Sequence, residues 1–144
     1  MPPWVRSGFE DYAGRLPRRC PLELVEVPLT PRGRRPLAQC LAREGARMVA
    51  AIPPRAAVIA LDERGQPWTT RELADRLAAW LGAGSDLALL VGGPDGLAPA
   101  ALAATRERWS LSPLTLPHGL VRVLVAEALY RAWSVLDRHP YHRE

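Results

Sequence analysis

The sequence predicts an α/β protein in which a parallel sheet is covered by helices on both faces. Two runs, 56–61 and 87–91, are almost continuously apolar, which is typical of strands that are buried on both sides. Apolar residues at helical spacing separate and follow these runs, so helices alternate with strands along the chain. The length of 144 residues favours one domain, spanning 1–144, with an ordinary hydrophobic core.

Turn residues and hydrophobic periodicity predict the individual elements. The spacing of Thr69 and Glu72 matches a capping box, so a helix is expected to begin at residue 70. Gly82 and Gly84 predict the end of that helix. The first helix is expected to present an apolar stripe made of Trp4, Val5, Phe9, Tyr12 and Leu16. Helices are predicted over 3–16, 37–52, 70–82, 99–107 and 120–137, and strands over 22–27, 56–61, 86–91 and 109–111.

The charge is basic and comes entirely from arginine. The net charge is +4 and none of the basic residues is lysine, which indicates either a GC-rich genome or contact with phosphates. The loop Arg32-Gly33-Arg34-Arg35 concentrates this charge, and it can be a phosphate-binding loop or simply a solvated one.

The remaining composition favours a cytoplasmic protein with reduced thiols. The chain has no signal peptide, and no apolar run is long enough to span a bilayer. Cys20 and Cys40 belong to no CxxC pair, so two free thiols are favoured over a disulfide or a metal site.

Three loops are expected at one edge of the sheet, where ligands bind in proteins of this architecture. They are 62–68, 92–96 and 112–119, and all three are rich in glycine, proline or small polar residues. The second lacks the spacing of a dinucleotide or P-loop motif, so it can be a plain turn or a ligand contact. The third holds two prolines, Pro113 and Pro117, which make a stiff loop. Its backbone groups can read the edge of an adenine while its leucines cover the faces.

Polar groups near the end of the chain are candidates for chemistry, and each has a structural alternative. His118 begins the last helix and can be structural or catalytic. Glu127 and Arg131 are four residues apart, so they can form a simple surface ion pair. The tail contains His139, Tyr141, His142 and Arg143. It is either a frayed terminus or a group that stacks on a base and holds a phosphate.

Several segments together resemble one family of enzymes over nearly the whole chain. The resemblance lies in Trp4-Val5, Gly8-Phe9 and Tyr12; Leu61-Asp62, Gly65 and Pro67-Trp68; Leu90-Val91-Gly92-Gly93-Pro94; Trp109-Ser110-Leu111-Ser112; Leu114-Thr115-Leu116-Pro117-His118; Leu120-Val121-Arg122-Val123-Leu124; Glu127; Leu129-Tyr130-Arg131-Ala132; and 139–144. These segments resemble the ribosomal RNA large subunit methyltransferase H family of the SPOUT superfamily.

The resemblance implies an S-adenosylmethionine-dependent methyltransferase that acts on N3 of a pseudouridine in 23S ribosomal RNA within the assembled ribosome. It also implies a SPOUT fold with a C-terminal trefoil knot, a homodimer, and no metal. The implied cofactor-binding positions are Leu61, Gly93, Ser112, Pro113, Leu114, Thr115, Leu116 and Pro117. Arg131, Tyr141, His142 and Arg143 are expected to bind RNA. His118, Glu127 and His142 are the candidates for a general base.

This chain departs from the family pattern in two places. Family members begin with a strand and a short turn before the segment that matches Pro3-Trp4, and we expect that this N-terminal strand is missing here through an alternative start or a truncated gene model. Pro113 stands where relatives often carry alanine. Two alternative functions remain open. One is a non-catalytic ribosome-binding or assembly factor that retains the fold, and the other is an α/β module that binds another nucleotide.

Overall fold

A computed structural model describes residues 1–141. Within this range helices and strands alternate after two N-terminal helices. The elements are α1 (Pro3–Ala13), α2 (Leu37–Ala51), β1 (Ala57–Pro67), α3 (Thr70–Ala83), β2 (Leu87–Leu90), α4 (Pro99–Ala103), β3 (Glu107–Ser110) and α5 (His118–Leu136).

The three strands form a parallel sheet in the order β2-β1-β3, which confirms the predicted fold class. Successive residues of a strand point to opposite faces, and the core divides accordingly. Ile59 packs with side chains of α3 and α5, whereas its neighbour Val58 packs with Ala101 of α4 and Met48 of α2. Helices therefore cover both faces of the sheet.

The cap of α3 is as predicted. The Thr69 hydroxyl accepts a hydrogen bond from the Glu72 backbone nitrogen at 3.1 Å, and the Glu72 carboxylate accepts one from the Thr69 nitrogen. Gly84 ends the helix with a φ of 70°, in the left-handed region that glycine adopts without strain. The start and end of this helix are therefore encoded locally.

The predicted strand over 22–27 is wrong. Residues 21–32 contain no helix or strand, although Leu22 and Leu24 alternate with the exposed Glu23 as in a strand. An extended segment becomes a strand only when its backbone pairs with a neighbour. This one faces a cavity of about 970 Å³ that β2 lines from the opposite side. Within residues 1–141 its backbone pairs with no strand.

Other boundaries differ from the sequence prediction. The first helix ends at Ala13 rather than residue 16, and Trp4 is 57% exposed instead of belonging to the apolar stripe. β1 continues to Pro67 beyond a register shift, so its last part is not the open loop that was predicted over 62–68. The helix predicted over 99–107 ends at Ala103. The Arg106 nitrogen already bonds the Val58 carbonyl at 2.8 Å, and β3 consequently begins at residue 107, earlier than expected.

Both cysteines are free thiols, as predicted. Cys40 is fully buried on α2, and its thiol donates to the Pro31 carbonyl. Burial raises the pKa of the half-buried Cys20 thiol, which favours the uncharged form. Both cysteines therefore behave as small apolar residues.

Candidate active site

A cavity of about 700 Å³ lies at the carboxyl ends of the strands, where all three predicted loops meet. Seven of the eight positions expected to bind the cofactor line it: Leu61, Gly93, Ser112, Leu114, Thr115, Leu116 and Pro117. Pro113 is not among the residues of its wall. The parallel sheet thus brings together positions that are more than fifty residues apart in sequence.

Side-chain bonds hold the loop 112–117 in place. The Thr115 hydroxyl donates to Glu63 at 2.6 Å, which joins this loop to the segment after Leu61. The Ser112 hydroxyl accepts from the Leu114 nitrogen at 3.0 Å, and the Ser112 carbonyl accepts from the Ser110 hydroxyl at 2.9 Å. Hydrogen bonds from serine and threonine side chains therefore stabilise the loop in addition to its prolines.

The glycine loop is shaped by close contact within itself. Gly93 and Gly96 form a backbone bridge, and Gly96 has a φ of 80°. A side chain on Gly92 would meet the Gly96 carbonyl carbon at 2.7 Å, whereas one on Gly93 would meet only Leu29, at 3.3 Å. Backbone packing within the loop therefore requires glycine at position 92. At position 93 the space beside the backbone is free except for the Leu29 side chain.

Charged groups of both signs stand at the cavity rim. Asp62, Glu63 and Asp95 line it beside Arg64 and Arg108, and Arg108 lies 3.5 Å from the Asp62 carboxylate. Apolar walls with a few polar groups are typical of small-molecule sites, and a carboxylate in such a wall can favour a positively charged ligand. The chemistry of this lining fits S-adenosylmethionine.

The basic loop is anchored to the glycine loop through Arg32. The Arg32 guanidinium bonds both Glu44 of α2 and Asp95, the latter at 2.8 Å. These bonds, first to Glu44 and then to Asp95, raise the pKa of Arg32, and the guanidinium in turn lowers the pKa of Glu44. The Arg32 guanidinium is therefore engaged in ion pairs within the protein, whereas Arg34 and Arg35 are exposed to solvent.

Sequence reasoning missed the partners of Arg32. Glu44 and Asp95 lie 12 and 63 residues away from it, and neither belongs to a recognisable motif. The buried Thr30, whose nitrogen also donates to Glu44 at 2.9 Å, completes the contact. No local pattern points to this network.

A second polar cluster joins α5 to the tail. Glu127 Oε2 accepts from the Arg131 guanidinium at 2.8 Å and from the Tyr141 hydroxyl at 2.9 Å. Arg131 also lies over the Tyr141 ring, and Tyr130 packs against the same ring with centroids 4.6 Å apart. Burial, and then the bond to Glu127, raise the pKa of Tyr141. The chain up to Tyr141 is therefore docked, and the frayed-terminus alternative is wrong for it.

The structure separates two of the three base candidates, His118 and Glu127. His118 lines the candidate cavity as the first residue of α5. Glu127 is absent from that wall, and its carboxylate is occupied by Arg131 and Tyr141. His142 lies outside the described residues, as does Arg143, so the two expected RNA contacts there have no structural account.

Among residues 1–141, no three histidine, cysteine, aspartate or glutamate side chains are grouped so that they could hold a metal ion. No helix in the same range is both long and apolar enough to cross a membrane.

Comparison with known proteins agrees with the geometry. Residues 1–142 match a family model described as "Predicted SPOUT methyltransferase". The ribosomal RNA large subunit methyltransferase H of Nitrosococcus oceani is 54% identical over 145 residues, covering 99% of this chain and 92% of that protein. The protein of the same name from Hydrogenovibrio crunogenus is 53% identical, covering 100% of this chain and 93% of the relative. The chain therefore belongs to the ribosomal RNA large subunit methyltransferase H family of SPOUT methyltransferases.

Proposed function

We propose that this protein methylates N3 of a pseudouridine in 23S ribosomal RNA, with S-adenosylmethionine as the methyl donor and the assembled ribosome as substrate. The observation that carries the proposal is the cavity in which three separate loops meet at the carboxyl edge of the sheet. The similarity to two ribosomal RNA methyltransferases over almost the full chain supports it.

The donor is proposed to lie between the loops 92–96 and 112–117. Leu61, Leu114 and Leu116 line the cavity with apolar surface for the faces of an adenine. Gly93 allows the backbone to approach the ligand closely, because little besides Leu29 occupies the space beside it. When bound, S-adenosylmethionine supplies a methyl group on a positively charged sulfonium, and the carboxylates of Asp62 and Glu63 favour that charge.

The chain must hold the acceptor nitrogen in line with the methyl carbon, at roughly 3 Å, and receive the proton that N3 loses. His118 is the proposed general base, because it lies in the cavity wall and an imidazole accepts protons near neutral pH. Glu127 is proposed instead as a positioning residue, since its carboxylate holds Arg131 and Tyr141 in one arrangement.

RNA is proposed to contact two basic surfaces. Arg131 and Tyr141 offer a cation and an aromatic ring in contact with each other, which suits a phosphate and a stacked base. Arg34 and Arg35 project from the loop that Arg32 anchors beside the cavity. Two anchored arginines can bind phosphates with a smaller loss of conformational entropy than a mobile loop. Tyr141→Phe, which removes only the hydroxyl, is expected to raise the KM for ribosomes while leaving donor affinity unchanged.

The quaternary state and the path of the chain are part of the same proposal. A homodimer is supported by large apolar side chains that are left exposed, among them Leu114 of the cavity wall at 68% exposure and Trp4 of α1 at 57%. If the protein is a homodimer, sedimentation analysis should give a mass near twice 15.8 kDa.

The C-terminal segment is also proposed to form a trefoil knot. The enzyme is proposed to act in the cytoplasm, where ribosomes are.

The test is methyl transfer to ribosomes that lack the modification. Purified protein with labelled S-adenosylmethionine is expected to label the large subunit, and nucleoside mass spectrometry should identify N3-methylpseudouridine. His118→Gln should lower kcat without loss of donor binding. Free 23S RNA should be a poorer substrate than the ribosome.

Two results would replace this proposal. Ribosome association without any turnover would indicate a non-catalytic binding or assembly factor. Calorimetric binding of ATP or NAD in preference to S-adenosylmethionine would indicate a module for another nucleotide.

A further inference from the structure

The segment 28–32, which leads into the basic loop, is held against α2 by side chains of that helix. The Arg47 guanidinium donates to the Pro28 carbonyl and to the Thr30 hydroxyl, both at 3.1 Å. The Glu44 carboxylate accepts from the Thr30 nitrogen at 2.9 Å, and Thr30 itself is buried. The segment contains no helix or strand, so these bonds to α2 are what fix its path.

Helix α2 also contacts the chain just after the glycine loop. Gly45, the residue that follows Glu44, is buried against the start of α4. A side chain at Gly45 would lie 2.7 Å from the Ala98 β-carbon, and Ala98 is the residue that precedes the first turn of α4. It follows the loop 92–96 by two residues. One helix therefore holds the chain before the basic loop and the chain after the glycine loop.

Arg32 joins these two segments directly. Its guanidinium bonds Glu44 through Nη1 and Asp95 through Nη2, the latter at 2.8 Å. Asp95 lies in the turn of the glycine loop, where the Gly96 nitrogen donates to the Gly93 carbonyl at 3.0 Å. The contacts form a closed ring, from α2 through Arg32 to the glycine loop and through the start of α4 back to α2. An isolated ion pair of this exposure would contribute little, whereas a pair within a charged network can fix the geometry of both segments.

The backbone of Arg32 also begins the basic turn. The Arg35 nitrogen donates to the Arg32 carbonyl at 2.9 Å, which closes this turn. The turn carries the exposed side chains of Arg34 and Arg35. Because Asp95 lines the candidate cavity, Arg32 connects the exposed cations, through its backbone, to the wall of that cavity, through its side chain.

We infer that Arg32 is a positioning residue that couples the binding of RNA phosphates at Arg34 and Arg35 to the binding of the methyl donor at the glycine loop. In this coupling, which depends on the proposed function, a phosphate bound at the basic turn restricts the movement of that turn. The ion pair with Asp95 transmits the restriction to the glycine loop. The donor then meets a loop that is already ordered, so it binds with a smaller loss of conformational entropy. Such coupling is reciprocal, so the bound donor also favours RNA binding.

Equilibrium dialysis with labelled S-adenosylhomocysteine measures the coupling, since this demethylated form of the donor supports no methyl transfer. Its Kd is determined with and without saturating large ribosomal subunits that lack the modification. For the wild type the subunits are expected to lower the Kd about fivefold, the low end of couplings between linked sites. Arg32→Gln and Asp95→Asn should each abolish this gain in affinity. These variants break the ion pair from opposite sides, so the test holds if one of them fails to fold.

The matched control is Arg76→Gln. Arg76 and Glu107 form an ion pair whose side chains are 33% and 38% exposed, against 34% and 38% for Arg32 and Asp95. Neither Arg76 nor Glu107 lines the candidate cavity, so this variant should keep the gain in affinity. An equal loss of the gain in Arg76→Gln would overturn the inference. A wild type without any gain, or Arg32→Gln with the gain intact, would overturn it as well.

Amide hydrogen exchange of Gly96 without ligand separates this inference from the proposed function. The bond from this amide to Gly93 closes the turn of the glycine loop, so exchange should be faster in Arg32→Gln and unchanged in Arg76→Gln. Absence of S-adenosylhomocysteine binding, with faster Gly96 exchange in Arg32→Gln, would contradict the proposed function but support the role of Arg32 in holding the loop. Normal binding of S-adenosylhomocysteine, with unchanged Gly96 exchange in Arg32→Gln, would overturn the inference and leave the proposed function intact.

Discussion

Gly92→Ala tests whether the glycine loop is shaped by the protein itself or by the ligand. A methyl group on this residue would lie 2.7 Å from the Gly96 carbonyl carbon and 2.9 Å from the Leu97 nitrogen. Ordinary contact begins at 3.4 Å, so the turn must open by about 0.7 Å. Both obstructing atoms are backbone, and overpacking of this kind costs about 1–3 kcal/mol. At about 2–4 °C per kcal/mol for a chain near this length, the thermal midpoint should fall by roughly 2–12 °C.

The matched control is Gly82→Ala near the end of α3, where an added methyl group meets nothing within 4 Å. Alanine is favoured over glycine in a helix by about 0.5–1 kcal/mol, so this variant should be as stable as the wild type or more so. Circular dichroism gives the midpoints, and calorimetry gives the affinity for S-adenosylmethionine. Gly92→Ala should lower both. An unchanged midpoint with lost donor affinity would show that the ligand, and not the Gly96–Leu97 contact, requires the glycine.

Three further predictions concern the anchoring network and the core. Arg32→Gln and Asp95→Asn each remove the same contact, so the double variant should have nearly the thermal midpoint of Arg32→Gln, and additive losses would contradict the network. Arg32 lowers the pKa of Glu44, so the stability that this pair contributes is present above the ordinary glutamate pKa of about 4.3 and is lost as the pH falls through the lowered value. Glu44→Gln should therefore make stability less dependent on acid pH in denaturation curves. A pH dependence equal to that of the wild type would contradict this role of the pair. Leu129→Ala should cost about 2–5 kcal/mol in urea unfolding because this core side chain is 4% exposed, whereas Leu136→Ala, at 39% exposure, should cost much less.

The parts of the fold that depend on local signals could be predicted from the sequence. The apolar runs gave the parallel strands, and Thr69 with Glu72 gave the start of α3. The three loops were assigned to one sheet edge from topology, and all three contribute to the cavity there. These predictions share one cause, since each rests on periodicity, capping or the parallel arrangement of strands. The cofactor positions came instead from the family resemblance, and their role stays a prediction.

The remainder depended on contacts between distant parts of the chain. Residues 22–27 have the composition of a strand, but a strand also needs a neighbour, and composition cannot show that none is present. The bonds of Arg32 to Glu44 and Asp95 join three segments that have no common motif. The docking of Tyr141 on Glu127 likewise follows from tertiary packing, which no local pattern in the sequence predicts.

The central claim is that the cavity between the three loops holds the methyl donor, and hydrogen exchange with and without S-adenosylmethionine tests it most directly. Saturable protection of amides in 61–66, 92–96 and 112–118 is expected, with little change in α2. Protection confined to 21–29 and the outer edge of β2 would place the ligand in the other cavity, and it would contradict the assignment of the active site.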